Sequence, residues 1–359
     1  MRVAQVCPRF YPNIGGIETH VYEIAKRLTK YCEIEILTTD SSGKLPRLDS
    51  VGSLIIRRFK SIAPYNSYYF SFEMYKFLKK YSSNYNIVHA HNYHAFPALF
   101  TALTKGKNKL VFTPHYHGRG HSFFRDLLHK PYKLVGKKIF EKADAIICVS
   151  EFERDLILRN FDIDASKLFV IPNGINLDDF KDVDKIKRQK DNTNKIILYV
   201  GRIEKYKGLD YVVEALTLLP ENFILEIVGD GCYRQKIVEL TRDLKVADRV
   251  KFYKDLTRKE LVERYAEADV LILLSKHEAY GLVVAEALAS GTPCIVANTS
   301  ALSEWVDGIT VFGIDYPIDI NKLAKLISKV VEIEIKKKVN VPDWKFVATR
   351  IREVYMQIG

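Results

Sequence analysis

Apolar and polar positions alternate along this chain in two rhythms, one of strand length and one at helical spacing. Residues 2–7 form a short apolar run, and Ile17, Val21, Ile24, Ala25 and Leu28 then share one face of a helix. Residues 33–38 and 53–59 read as strands, 71–81 as a helix and 86–90 as a strand. The theme continues with a strand at 109–113, a helix through 123–141, a strand at 145–149, a helix from Ser150 and a strand at 168–172. After Pro172-Asn173-Gly174 a polar, charge-dense stretch runs from 178 to 194, and a second series follows. Its strands are expected at 195–200, 223–228, 250–253, 269–274 and 293–297, each followed by a helix or helical turn. Strands that alternate with helices predict parallel sheets covered on both faces. The expected architecture is α/β, with two doubly wound domains at 1–175 and 176–340. A last helix over 341–359 is expected to cross back to the first domain. Ligands of such sheets bind beyond the carboxyl ends of the strands, so a cleft between the two domains is the expected site.

Composition narrows the class. The chain has 359 residues, 47% hydrophobic and 28% charged, which suits a soluble globular protein and excludes a disordered one. No apolar run approaches the eighteen residues a membrane-spanning helix needs, and the start lacks the apolar stretch of a signal peptide. Five cysteines, at 7, 32, 148, 232 and 294, form no Cys-x-x-Cys pair, so a cytoplasmic protein is expected. The net charge of +11 is uneven. Residues 1–180 hold 26 basic and 17 acidic side chains, against 29 and 27 in the remainder. The first half is therefore expected to face something anionic.

Several segments carry candidate chemistry. A loop ending in Gly15-Gly16 leads from the first strand into a helix, where free N–H groups suit an anion. Val228-Gly229-Asp230-Gly231 also follows a strand but lacks the third glycine of a dinucleotide fingerprint. Gly201, Arg202 and Lys207 follow the first strand of the second series, and two cations there suit the charge of a diphosphate. Glu278 stands in a turn at a strand's carboxyl end, ahead of a helix that opens near Gly281 and contains Glu286. A carboxylate among alanines and leucines needs partners if buried, and sugar hydroxyls would serve. His89, His91, His94, His115, His117 and His121 cluster in the first half without a spacing diagnostic of a metal. Among them His115, at the end of a strand, is best placed to face a ligand. Asp162-Ile163-Asp164 and Asp182-Val183-Asp184 lie in polar connections and read as turn and cap residues.

Taken in order, these segments resemble glycosyltransferase family 4, the retaining group 1 glycosyltransferases of GT-B fold. The resemblance covers almost the whole chain. It runs through Gly15-Gly16-Ile17-Glu18, Val88-His89-Ala90-His91, Thr113-Pro114-His115, Val149-Ser150-Glu151 and Ile171-Pro172-Asn173-Gly174-Ile175. It continues through Val200-Gly201-Arg202, Lys207-Gly208, Val228-Gly229-Asp230-Gly231 and the Glu278-x7-Glu286 pair. The resemblance implies that Gly15 and Gly16 lie near donor phosphates, and that Arg202 and Lys207 bind the diphosphate leaving group. It also implies that Glu278 contacts the transferred sugar, that Tyr280, Gly281 and Leu282 offer backbone amides to phosphate, and that Glu286 holds the ribose. His115 would orient donor or acceptor at the reacting face. The implied reaction moves a hexosyl-type sugar from a UDP- or GDP-sugar to a hydroxyl, with retention and without a cofactor or a divalent metal. Lys254 stands where the family usually has glycine, Tyr280 replaces a common phenylalanine, and 308–315 is shorter than usual.

Arg57-Arg58-Phe59-Lys60, the aromatic and lysine-rich stretch 65–81 and residues 119–138 mix cations with rings. Such stretches suit an acidic membrane surface, so a lipid-linked acceptor and peripheral membrane contact are expected. The alternatives are a sugar-nucleotide epimerase of the same fold and a non-enzymatic anion or nucleic-acid binder. The cation and glutamate pairs together argue against the epimerase, the glutamate pair would be idle in a binder, no nucleic-acid module is present, and no nucleic-acid partner is expected.

Overall fold

A computed structural model describes residues 1–64, 67–118, 123–189, 193–333, 335 and 341–359. The chain divides into two units, Met1–Gly174 with Pro342–Gly359, and Ile175–Val341.

The first unit opens with β1 (Arg2–Val6), α1 (Gly16–Leu28), β2 (Glu33–Asp40), β3 (Leu48–Val51), β4 (Leu54–Lys60) and α2 (Phe72–Tyr81). It continues through β5 (Ile87–His91), α3 (Phe96–Leu103), β6 (Lys109–Thr113), α4 (Phe123–Lys142), β7 (Ala145–Cys148), α5 (Glu151–Asn160) and β8 (Leu168–Val170). Its strands lie in the order β3-β4-β2-β1-β5-β6-β7-β8. Only β3 runs antiparallel to its neighbour. The central strands β1, β5 and β6 are buried along almost their whole length, with Gln5, His89 and His91 set among their apolar residues. Helix α1 buries Val21, Ile24, Ala25 and Leu28, the face its spacing predicts. Ser71 caps α2 by accepting from Met74 N, and Ser150 caps α5 by accepting from Glu153 N. The sequence reading does not anticipate β3 or α3. Residues 48–51 are too polar to signal a strand, and Phe96–Leu103 is apolar all round, so it has no amphipathic period.

The second unit contains α6 (Val183–Gln189), β9 (Lys195–Val200), α7 (Leu209–Leu216), β10 (Phe223–Val228), α8 (Arg234–Asp243), β11 (Val250–Tyr253) and α9 (Arg258–Glu267). Then come β12 (Val270–Leu273), α10 (Leu282–Ala289), β13 (Cys294–Ala297), β14 (Val311–Ile314) and α11 (Ile320–Val330). Six parallel strands lie in the order β11-β10-β9-β12-β13-β14. The order reverses between β9 and β12, the place where an open parallel sheet leaves a crevice at its carboxyl edge. A short helix, α6, forms within the polar stretch that the sequence reads as a connection, and β14 and α11 extend the series beyond the strands it names.

The closing helix, α12 (Trp344–Ile358), belongs to the first unit and packs on α1. Asp343 caps it by accepting from Phe346 N at 2.6 Å. Close to its start, a Cβ on Gly174 would sit 2.6 Å from Asp343 C, so glycine permits this approach of two backbones. Tyr355 on α12 reaches the sheet beneath, where its hydroxyl accepts from Gln5 Nε2 at 3.0 Å and lies 2.7 Å from His89 Nδ1.

Candidate active site

In the second unit the loop after β9 and the loop after β10 are joined backbone to backbone. Ile203 N donates to Asp230 O at 3.0 Å, and Tyr233 N donates to Ile203 O at 3.0 Å. Gly229 makes the approach possible, because it has φ +141° and an added Cβ would stand 2.0 Å from Gly201 O. No side chain fits there. Lys254, where the resemblance leads one to expect glycine, pairs with Asp230 of this turn at 3.0 Å.

The turn after β9 carries the two cations. Arg202 is exposed, with Nη2 donating to Tyr206 Oη at 3.2 Å. Lys207 is mostly buried and ion-paired with Glu278, which stands beyond the end of β12. Burial lowers the Lys207 pKa, but the Glu278 charge and hydrogen bond, with Tyr206 beside them, together outweigh it, so the ammonium is held above its usual range. Glu278 is fixed through its backbone, whose N–H donates to Ser300 Oγ at 3.0 Å. Lys207, Glu278 and Arg202 therefore gather at the carboxyl edge on either side of the strand-order reversal. Beside them α10 begins at Gly281, with φ +97° and no side chain capping its first turn. Its leading N–H groups remain available to an anion, in line with the helix dipole. Tyr280 is buried, and its carbonyl accepts from Trp305 Nε1 at 2.8 Å.

Glu286 sits further along α10 itself, past its first turn. Its Oε1 pairs with Arg258 at 2.5 Å and its Oε2 accepts from Tyr265 Oη at 2.8 Å. Arg258 also reaches Asp179 at 2.7 Å. The sequence left Glu286 in need of partners, and the protein itself supplies two. Each carboxylate oxygen still has a lone pair to offer.

The first unit places the other residues singled out from the sequence. Gly15 and Gly16 open α1 with no side-chain cap, and Glu18 folds back under Gly15 to pair with Arg9 at 2.9 Å. His115 follows β6 with φ +49°. The backbone just beyond it is held by the buried Glu153, whose carboxylate accepts from both Tyr116 N and Val149 N. Sequence reasoning passed over Glu153 and also over His20, whose ring centroid lies 5.0 Å from that of His115. His20 falls on the inner side of α1, and the apolar pattern around it was the signal available. Of the basic stretch 57–60, Arg58 is buried against Asp49, Tyr11 O and Pro46 O, and Arg57 pairs with Glu35. His121, Tyr65, Arg119 and the side chains of Phe123, Phe124, Leu127 and Leu128 lie outside the described residues. Asp164 and Asp182 act locally, Asp164 capping a turn and Asp182 pairing with Lys185.

Two parallel-sheet α/β units, one bearing a cation and carboxylate cluster at its strand-order reversal, define a GT-B protein. Residues 14–179 match the model of Glycosyltransferase Family 4, and residues 180–341 match that of Glycosyl transferases group 1. The chain belongs to the group 1 glycosyltransferases. It is 26% identical to a D-inositol 3-phosphate glycosyltransferase of Streptomyces bingchenggensis over 350 residues, covering 86% of this chain and 77% of that protein. The fold is similar to that of a sucrose-phosphate synthase from Thermosynechococcus elongatus, with a TM-score of 0.82 and 21% identity over 99% of this chain and 98% of that one. It is also similar to Anabaena HepE, solved with UDP and glucose, with a TM-score of 0.78 and 17% identity over 99% of both chains. Among the described residues no helix is long and apolar enough to cross a membrane.

Proposed function

We propose that the protein moves a hexosyl sugar from a UDP- or GDP-sugar to a hydroxyl acceptor with retained anomeric configuration. The observation that carries this reading is the Lys207–Glu278 pair beside Arg202 and the uncapped start of α10. Lys207 spends one of its three N–H donors on Glu278, which leaves two for a diphosphate. Arg202 is exposed and offers a planar fork to the same group. Charge that builds on the leaving diphosphate as the glycosidic bond breaks would be met by these two cations and the N–H groups of Gly281 and Leu282. In this reading the site needs no divalent metal on the diphosphate. The second oxygen of Glu278 is then available to a sugar hydroxyl, and Glu286 accepts from a ribose. In the first unit, Gly15 and Gly16 face donor phosphates, and His115 orients the reacting groups.

The acceptor in this reading is a lipid-linked hydroxyl reached at a membrane surface. Ile62, Phe70 and Phe72 are exposed on the first unit, Ile62 and Phe70 pair through their backbones, and Lys76 lies over the Phe72 ring. Apolar rings rimmed by lysine suit an anionic bilayer.

The test is release of nucleoside diphosphate from a panel of UDP- and GDP-sugars in EDTA, with Glu278→Ala and Lys207→Ala as controls. Release from one donor, lost in both variants, is expected. Failure of every donor to bind would sink the transferase reading. Failure to co-sediment with anionic vesicles at low salt would remove the lipid-linked acceptor.

A further inference from the structure

The second unit holds a strained residue next to its cation and carboxylate cluster. Among its described residues three non-glycine positions have a positive φ, Lys245, Asp255 and Ser300. Lys245 and Asp255 are exposed, whereas Ser300, with φ +52°, is buried. A side chain in this region crowds its own backbone, and glycine would adopt it freely. Strain of this kind persists only where the surroundings impose it, and it gathers at working sites.

The neighbours of Ser300 give its side chain a task. The loop after β13 lies along the loop after β12, because the two strands are parallel neighbours. Ser300 Oγ accepts from Glu278 N at 3.0 Å, and Ala301 N donates to Glu278 O at 3.3 Å. Both peptide groups that flank the Glu278 side chain are thus tied to two successive residues. Further along, Trp305 Nε1 donates to Tyr280 O at 2.8 Å, and a Cβ added at Gly281 would stand 2.9 Å from Leu302 Cδ2. Residues 300–305 therefore splint the turn that carries Glu278. The tie from Ala301 is backbone and needs no particular side chain. The tie from Ser300 exists only because residue 300 carries a hydroxyl, which a strain-free glycine would lack.

We propose that Ser300 is a positioning residue for the donor sugar. Its hydroxyl fixes the Glu278 peptide, so the carboxylate keeps one oxygen on Lys207 and holds the other ready for a sugar hydroxyl. The inference rests on the reading that Glu278 meets the transferred sugar. Without Oγ, Glu278 N loses this partner and the side chain can swing about the ties that remain. A displacement of about 1 Å at a reacting group costs up to about 10²-fold in rate. The diphosphate would still meet Arg202 and Lys207, so the loss belongs to kcat and not to donor binding.

The experiment compares Ser300→Gly and Ser300→Ala with the parent chain. It measures nucleoside diphosphate release from the UDP- or GDP-sugar that the parent turns over, and urea unfolding read by Trp305. Both variants lack the hydroxyl, but only alanine keeps the strain at φ +52°. Both should lose kcat by about 10–100-fold with the donor KM close to the parent's. Ser300→Gly should nevertheless unfold at higher urea than Ser300→Ala. A residue that serves folding alone gives the opposite pattern, in which turnover follows stability and Ser300→Gly stays near the parent. That pattern, full turnover in both variants, or a loss carried wholly by KM would overturn the proposal. A parent chain that neither binds nor turns over any donor would instead sink the transferase reading, and this inference with it.

Discussion

Lowering the pH from 7 to 5 should destabilise the first unit through its buried histidines, and the size of the loss follows from the structure. Burial holds the pKa of His20 at about 4 against an ordinary 6.5, with the Asn173 hydrogen bond recovering only part of the shift. A group whose folded pKa is depressed contributes stability that is complete above its unfolded pKa. That stability is lost as the pH falls through 6.5 towards 4, because the unfolded chain takes up the proton first. For His20 alone the loss at pH 5 is about 2 kcal/mol. His89, His91 and His115 are depressed by burial in the same direction and add to it. Most carboxylates stay charged down to pH 5, so the window belongs chiefly to histidine. The chain has two tryptophans, and each reports a different unit. Trp344 lies 5.7 Å from His20, and Trp305 belongs to the second unit. Urea unfolding of Trp305→Phe, followed by fluorescence in EDTA, therefore reads the first unit. The unfolding free energy should drop by at least about 2 kcal/mol from pH 7 to pH 5, and His20→Gln should shrink that drop by a similar amount. A free energy that stays flat between the two pH values, or a His20→Gln slope equal to that of the parent, would refute the reasoning.

Other consequences can be measured separately. Gly229→Ala would drive a Cβ to 2.0 Å from Gly201 O at a φ of +141°, so the second unit should lose roughly 3 kcal/mol or more, read by Trp305 in urea. A loss below about 1 kcal/mol would show that the two loops can separate freely. Tyr355→Phe removes a buried hydroxyl that joins Gln5 to His89, and it should cost about 2 kcal/mol in the first unit while leaving the Trp305 transition in place. Within the transferase reading, Lys207→Ala should lower kcat about 10²–10³-fold, and Arg202→Ala should do the same. Wild-type turnover in either variant would remove that cation from the leaving-group role.

The elements legible in the sequence are those whose pattern has a period. Parallel strands read as apolar runs, and the largely buried β6, β9 and β10 and the half-exposed edge strand β11 stand at the residues the runs mark. The amphipathic face of α1 is equally plain. Elements without a period stayed hidden. Helix α3 is apolar on every side, β3 is a polar edge strand, and α6 lies in a stretch of charges. For the site, residue type and order along the chain sufficed to single out Arg202, Lys207, Glu278 and Glu286. That Glu286 would be met by Arg258 and Tyr265 could not be read, since those residues lie 28 and 21 positions away and carry no motif.

What the sequence determined by itself is the alternation of strand and helix, the two parallel sheets it implies, and the glycines at turns where a side chain has no room. These follow from local periodicity and backbone sterics, which act over a few residues. Tertiary structure alone decided which charges and rings meet. His20, His91 and His115 stand on three elements and come together because β1, β5 and β6 are neighbours in the sheet and α1 lies against them. Gln5, His89 and Tyr355 are joined because the last helix returns to the first unit, 350 residues after Gln5. Pairings over such separations are set by strand order and packing, and no local pattern encodes them.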